Sequence, residues 1–283
     1  MSPRLADDLP RPSGVPGLRV WLKSSGYARR LLLGAAGDPW ESAAGYLAFF
    51  NQAHGLLRPD VGVVDVGDLY RSWGARHPAL ATEMGSKKRA AFPLKRMLEE
   101  EGPRKLLAEV VGAVAASLRG QTPLVLAVPA PRRWLTEAAQ LAGRDDIAVD
   151  ADMVEDAAMY MADLMRAVSA LPIGGLLLEE GDDTPAADHG GYRPLVNVAR
   201  HYRWGLALRG GAGAATGDFD TLIAPRPATD DANGDLALGL DVSNTLWDGT
   251  ELAPLAAGQF YFAEIPVGAE PEAVLHNLAR LRG

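Results

Sequence analysis

The segments PLVLAVP (123–129) and GGLLLEE (174–180) decide how this chain folds. Each is a nearly continuous apolar run of strand length, without polar–apolar alternation. That is the pattern of a strand buried on both faces, as in a parallel sheet covered by helices. Six more runs share it: RLLLG ending at Gly34, VGVVDVG (61–67), WGLALRG (204–210), TLIAP (221–225), LALGLDV (236–242) and QFYFAEIP (259–266).

Helical stretches separate them. Asp38 and Pro39 have the chemistry of an N-cap and a first helical residue, opening a helix through ESAAGYLAFFNQAHGLL. Residues 87–118 form a long helical stretch broken near Gly102 and Pro103. In 151–170, Val154, Ala158, Met161 and Met165 fall on one face, and Pro271 begins a last helix over 270–281. Eight strands alternating with helices predict an α/β fold, a shortened (β/α)8 TIM barrel with reduced helices late in the chain. The competing doubly wound sheet would carry a glycine-rich turn after its first strand, and LGAAGDPW is not GxGxxG. Residues 1–17, rich in Pro, Gly and charge, read as a flexible N-terminal arm, leaving 18–283 as a single barrel domain.

Composition narrows the function. Of 283 residues, 48% are apolar and the net charge is -8, so a large core is available and a nucleic-acid partner is not expected. With no cysteine there is no disulfide, thiolate nucleophile or sulfur-ligated zinc. The N-terminal stretch lacks the apolar core of a signal peptide, and no apolar run is long enough to span a membrane. A reducing, cytoplasmic setting fits. None of the five histidines forms HxH, HxxxH or HExxH, so no metal is expected. The glycine-rich GGAGAATG (210–217) has no lysine and lacks the P-loop pattern.

In such a barrel the site lies at the C-terminal strand ends. These ends supply Asp65 and Asp68, Arg132 and Arg133, Glu179, Glu180, Asp182 and Asp183, Arg209, Arg226, then Asp241, Ser243, Asn244 and Glu264. Carboxylates there suit acid–base work, and arginines suit clamping an anion. Asp68 follows an apolar run and precedes Leu69 and Tyr70, which marks it as the acid–base or cation-anchoring candidate. By a two-residue period Asp65 points the opposite way. Glu179 and Glu180 also oppose one another, so at most one faces the barrel axis.

Several segments together resemble uroporphyrinogen decarboxylase and its methionine-synthase-like relatives. They are PDVGVVDVGDLY (59–70), TPLVLAVPAPRRWLTEAAQLAG (122–143), the unit 151–180, LALGLDV and FAEIPVGAEPEAVLHNLARL (262–281). VWLKSSGY (20–27) looks like the family's substrate-binding N-terminal segment without its arginine. The resemblance, over 18–281, implies a pocket at the strand ends, often in a homodimer, with no cofactor. It matches Asp68 to the substrate-binding aspartate of the second strand. The family's late histidine is absent, and the methyltransferase branch's His-x-Cys position reads ALRGG.

These readings predict a cofactor-independent lyase or decarboxylase for a small anionic, carboxylated substrate other than uroporphyrinogen. Asp68 and Glu180 are its catalytic candidates. Lys23, Arg132, Arg209, Arg226, Asp241 and Asn244 are its substrate-binding candidates. The alternatives are a non-catalytic binding or accessory protein on the same barrel, and a group transferase without zinc.

Overall fold

A computed structural model describes residues 4–11, 13–14, 17–145, 147–180, 189–210, 218–225 and 236–283. Its strands are β1 (Val20–Lys23), β2 (Gly62–Asp65), β3 (Leu124–Pro129), β4 (Gly175–Glu179), β5 (Gly205–Arg209), β6 (Thr221–Ala224), β7 (Ala237–Asp241) and β8 (Gln259–Glu264). All are parallel, in the order β1-β8-β7-β6-β5-β4-β3-β2. The result is a nearly closed (β/α)8 barrel in which only the β1–β2 junction lacks ladder hydrogen bonds.

Helices α1 (Leu5–Asp8), α2 (Ser25–Leu33), α3 (Ala43–Leu57), α4 (Val66–Arg76), α5 (Pro78–Gly85) and α6 (Phe92–Leu98) come first. They are followed by α7 (Glu101–Leu118), α8 (Pro131–Leu141), α9 (Ala151–Ala167), α10 (Arg193–Tyr202) and α11 (Pro271–Arg282). Among the described residues no α-helix lies between β5 and β8. None of the described helices is long and apolar enough to cross a membrane.

Strand parity sorts the core. Trp21, Val63, Ala127, Leu177, Ala207, Ile223, Phe260 and Phe262 form the barrel interior. The alternate residues, such as Val64, Leu126, Leu176, Leu178 and Leu206, pack under the helices. Two steps beyond the inward apolar residues come the strand ends that build the mouth. The expected helix face of α9 is also present: Val154, Ala158, Met161 and Met165 are all buried.

Three local expectations change. RLLLG is not a strand but the end of α2, and the first strand is VWLK just before it. VWLK is buried at all four positions, whereas Leu33 is 39% exposed, so burial and not leucine content distinguishes them. Gly34, at φ +74, ends the helix by donating its N–H to the Arg30 carbonyl. Asp38 caps only a 3-10 turn, Pro39–Glu41, and Ser42 caps α3 separately. The 87–118 stretch breaks at Glu99–Glu100 rather than at Gly102–Pro103, which lie in the first turn of α7.

Within the N-terminal stretch, Leu5–Asp8 form α1. Leu5 is fully buried beneath the barrel, and its N–H donates to the Gly174 carbonyl at 3.1 Å. Glycines make the room: a Cβ on Gly175 or Gly205 would lie 3.0 Å from Leu5 side-chain atoms.

Candidate functional site

Six of the eight strands carry a charged residue at the inward position of their C-terminal end: Lys23, Asp65, Glu179, Arg209, Asp241 and Glu264. They form one network. Lys23 Nζ lies 2.6 Å from Glu179 Oε2, 3.4 Å from Asp65 Oδ2 and 3.6 Å from Glu264 Oε1. Arg209 reaches Glu179 Oε1 at 3.1 Å and Asp241 Oδ2 at 2.8 Å, and also pairs with Glu264. Its guanidinium stacks over Phe262 at 4.5 Å. Ser243 braces the far side, accepting from the Glu264 N–H at 2.8 Å.

The charges fix protonation states. Burial alone would lower the Lys23 pKa, but Asp65, Glu179 and Glu264 outweigh it and hold the ammonium above its usual range. Burial opposes Arg209 in the same way, and Asp241, Glu264 and Glu179 overcome it. The surrounding carboxylates thus favour the charged form of both cations. For Asp65, burial raises the pKa, yet Lys23, Arg71 and the Asp68 N–H bring it below the ordinary value. Glu264 is the loosest member, with a side chain 40% exposed against 6% for Glu179 and 8% for Asp65.

Asp68 lies beside this ring rather than in it. The β2 strand ends at Asp65, so the two-residue period stops there and Asp68 sits in the first turn of α4. Asp65 is the N-cap: its Oδ1 accepts the Asp68 N–H at 2.9 Å. Asp65 is thus an inward ring member, contrary to the face expected from a continued strand. Asp68 accepts from Trp40 Nε1 at 2.9 Å and lies 3.6 Å from Arg29 and 3.8 Å from Arg71. Burial and the neighbouring Asp65 raise its pKa, against Trp40, Arg71 and Arg29. Arg71 also approaches Asp65 at 3.9 Å and Glu137 at 3.7 Å, joining ring and rim electrostatically.

The other expected residues are elsewhere. Glu180 points behind β4, not into the mouth, because parity assigns the inward place to Glu179. Its Oε1 accepts from the Tyr192 hydroxyl at 2.7 Å and lies 3.3 Å from His189 Nε2, with all three side chains buried. Arg132 is turned to the Val149 carbonyl at 2.9 Å, away from the ring. Asn244 is exposed in the turn after β7. Arg226, Asp182, Asp183 and the glycine-rich stretch beyond Gly210 lie outside the described residues. Among the described residues no cluster of three or more His, Cys, Asp or Glu is arranged to hold a metal.

Sequence reasoning did not single out Trp40, Arg71 or Glu137. Arg71 carried a signal, three residues after Asp68 on one helical face. Trp40 carried none, since only tertiary packing brings it to Asp68.

No family model matches this chain, and no curated protein matches it. Among solved structures it is similar to dihydrodipicolinate synthase from Agrobacterium tumefaciens, at 16% identity and a TM-score of 0.32. That match covers 63% of this chain and 57% of the other, and at this level it adds nothing beyond the barrel already evident from the strand order.

Proposed function

We propose that the protein is a cofactor-independent lyase acting at the barrel mouth on a small carboxylated substrate, with decarboxylation as the reaction. The observation that carries this reading is the convergence of six charged side chains, from six strands, into one network at the C-terminal mouth. Buried ion networks are poor sources of stability compared with apolar packing, so their place here favours chemistry. The order of motifs similar to uroporphyrinogen decarboxylase agrees with it.

In this reading the substrate carboxylate takes the place of the exposed Glu264 carboxylate at Lys23 and Arg209. Both cations keep Glu179, so the anion is oriented without two free charges being created. The carbon–carboxylate bond breaks, carbon dioxide leaves, and the electron pair passes into an acceptor group conjugated within the substrate. Asp68, in the first turn of α4 beside the ring, is the group that delivers the proton to that carbon. The test is incubation in D2O with a panel of small oxo and aromatic carboxylic acids. Carbon dioxide release with one deuterium gained is expected, and it is lost in Asp68→Asn. Release that is unchanged in Asp68→Asn removes its catalytic role, and no release from any acid in the panel overturns the decarboxylase reading.

The full pairing of Lys23 and Arg209 inside the ring favours a second reading, a barrel that binds its ligand without turnover. Binding of a panel acid without product formation selects it.

A further inference from the structure

The barrel is unlaced between β1 and β2, and what lies in the gap is informative. Alternate residues of a strand aim their backbone N–H and C=O at opposite edges. The Arg19 and Lys23 carbonyls accept from Tyr261 and Ile265, and the Gly62 N–H donates to Pro123. The amide groups of Leu22, Val61 and Val63 therefore face the gap, whereas the Ser24 carbonyl accepts from the Ala28 N–H at the start of α2. Leu22, Ser24, Val61 and Val63 line a cavity there, closed on the helix side by α2 and α3 through Ala28, Phe50, Ala53 and His54. Ser25, which lines the cavity, donates its Oγ hydrogen to Asp65 Oδ2 at 3.3 Å, so the cavity adjoins the mouth ring through this one contact.

The space open to the centre of a water there is about 40 Å³. That holds roughly three waters, or the few heavy atoms of a short alkyl group. Most of the side-chain lining is apolar, and interiors are ordinarily packed without such voids. His54 Nε2 is buried on its edge with no hydrogen-bond partner among the described residues.

We propose that this seam cavity is a binding subsite for a short branched apolar group on the carboxylate held at the mouth. The proposal rests on the mouth reading for its carboxylate end only. The ligand class is thus a small acid with a branched aliphatic tail, entering with its carboxylate toward Lys23 and its tail between the strands.

The experiment is an NMR titration of the intact protein with acetate, propionate, isobutyrate and isovalerate, and with neutral isobutanol. Affinity is expected to rise about fourfold per added methylene in the wild type. Shifts should map to Ala28, Phe50 and His54. Ala53→Leu fills the cavity and should flatten the series to its acetate value, leaving acetate binding itself unchanged and abolishing isobutanol binding. If Ala53→Leu does not fold, Ala28→Val makes the same test from the other wall. A flat series in the wild type, or an undiminished slope in the folded variant, overturns the subsite. Isobutanol bound at the seam without any preference for carboxylates would keep the subsite and overturn the mouth reading. Carboxylates bound with no dependence on tail would do the reverse.

Discussion

Lys23→Met keeps the length of the side chain and removes its charge. In the wild type the Lys23 side chain is 8% exposed, and its ammonium compensates Glu179 at 2.6 Å and Asp65 at 3.4 Å. Removing one partner of a buried pair costs about 3–5 kcal/mol, because the remaining charge is stranded in a poorly solvating place. Here neither carboxylate is left alone: Glu179 keeps Arg209 at 3.1 Å, and Asp65 keeps Arg71 at 3.9 Å and the Asp68 N–H at 2.9 Å. The lower end, about 3 kcal/mol, is therefore expected. With a urea m-value of about 3 kcal/mol per molar, the unfolding midpoint falls by about 1 M. The pH dependence gives the sharper test. Wild-type Asp65 has a folded pKa below its unfolded value of 3.8, so its stabilisation is present above that value and lost as pH falls through the folded one. Without Lys23, burial prevails and the folded pKa moves above the unfolded one. The penalty of the ionised carboxylate is then full at neutral pH and disappears as the group takes its proton. The deficit of Lys23→Met should therefore shrink from about pH 7 toward pH 4 in urea titrations followed by tryptophan fluorescence. Adding Asp65→Asn should recover much of the loss at neutral pH. A deficit that is constant with pH, or not recovered in the double variant, would refute the account of this ring.

Three further variants separate the roles of neighbouring residues. Asp68→Asn should lower turnover by about 10²–10⁴-fold, the usual contribution of a positioned acid, in a steady-state assay. It should be at least as stable as wild type near neutral pH: burial and Asp65 raise the folded pKa of Asp68, so its ionised form weakens the fold above that value. Tyr192→Phe removes the donor 2.7 Å from buried Glu180 and should cost about 1.5–3 kcal/mol in urea melts, with turnover unchanged because Glu180 faces away from the mouth. A large fall in turnover there would return Glu180 to the site. Leu5→Ala, beneath the barrel, should cost about 3 kcal/mol by the same melts, and no change would show that α1 does not seal the barrel floor.

The seven strands from β2 onward were legible because each carries a continuous apolar run, and burial on both faces demands one. The first was missed because RLLLG imitates that signal on a helix, while VWLK hides a strand behind its terminal lysine. Contacts made across the fold, such as Trp40 with Asp68 or the gap between β1 and β2, left no periodic trace. The choice between Glu179 and Glu180 did leave one. In every strand the inward residues run in steps of two, through Trp21, Val63, Ala127, Leu177, Ala207, Ile223, Gly239 and Phe262. One more step lands on Lys23, Asp65, Pro129, Glu179, Arg209, Pro225, Asp241 and Glu264. The mouth position is thus charged on six strands and proline on the other two, and apolar packing would select neither so consistently. Glu180, Arg132 and Asn244 fall off this count, whereas Lys23, Arg209 and Asp241 fall on it. The parity of the strand, set by its buried middle, selects which charges meet at the mouth more reliably than closeness to the strand end does.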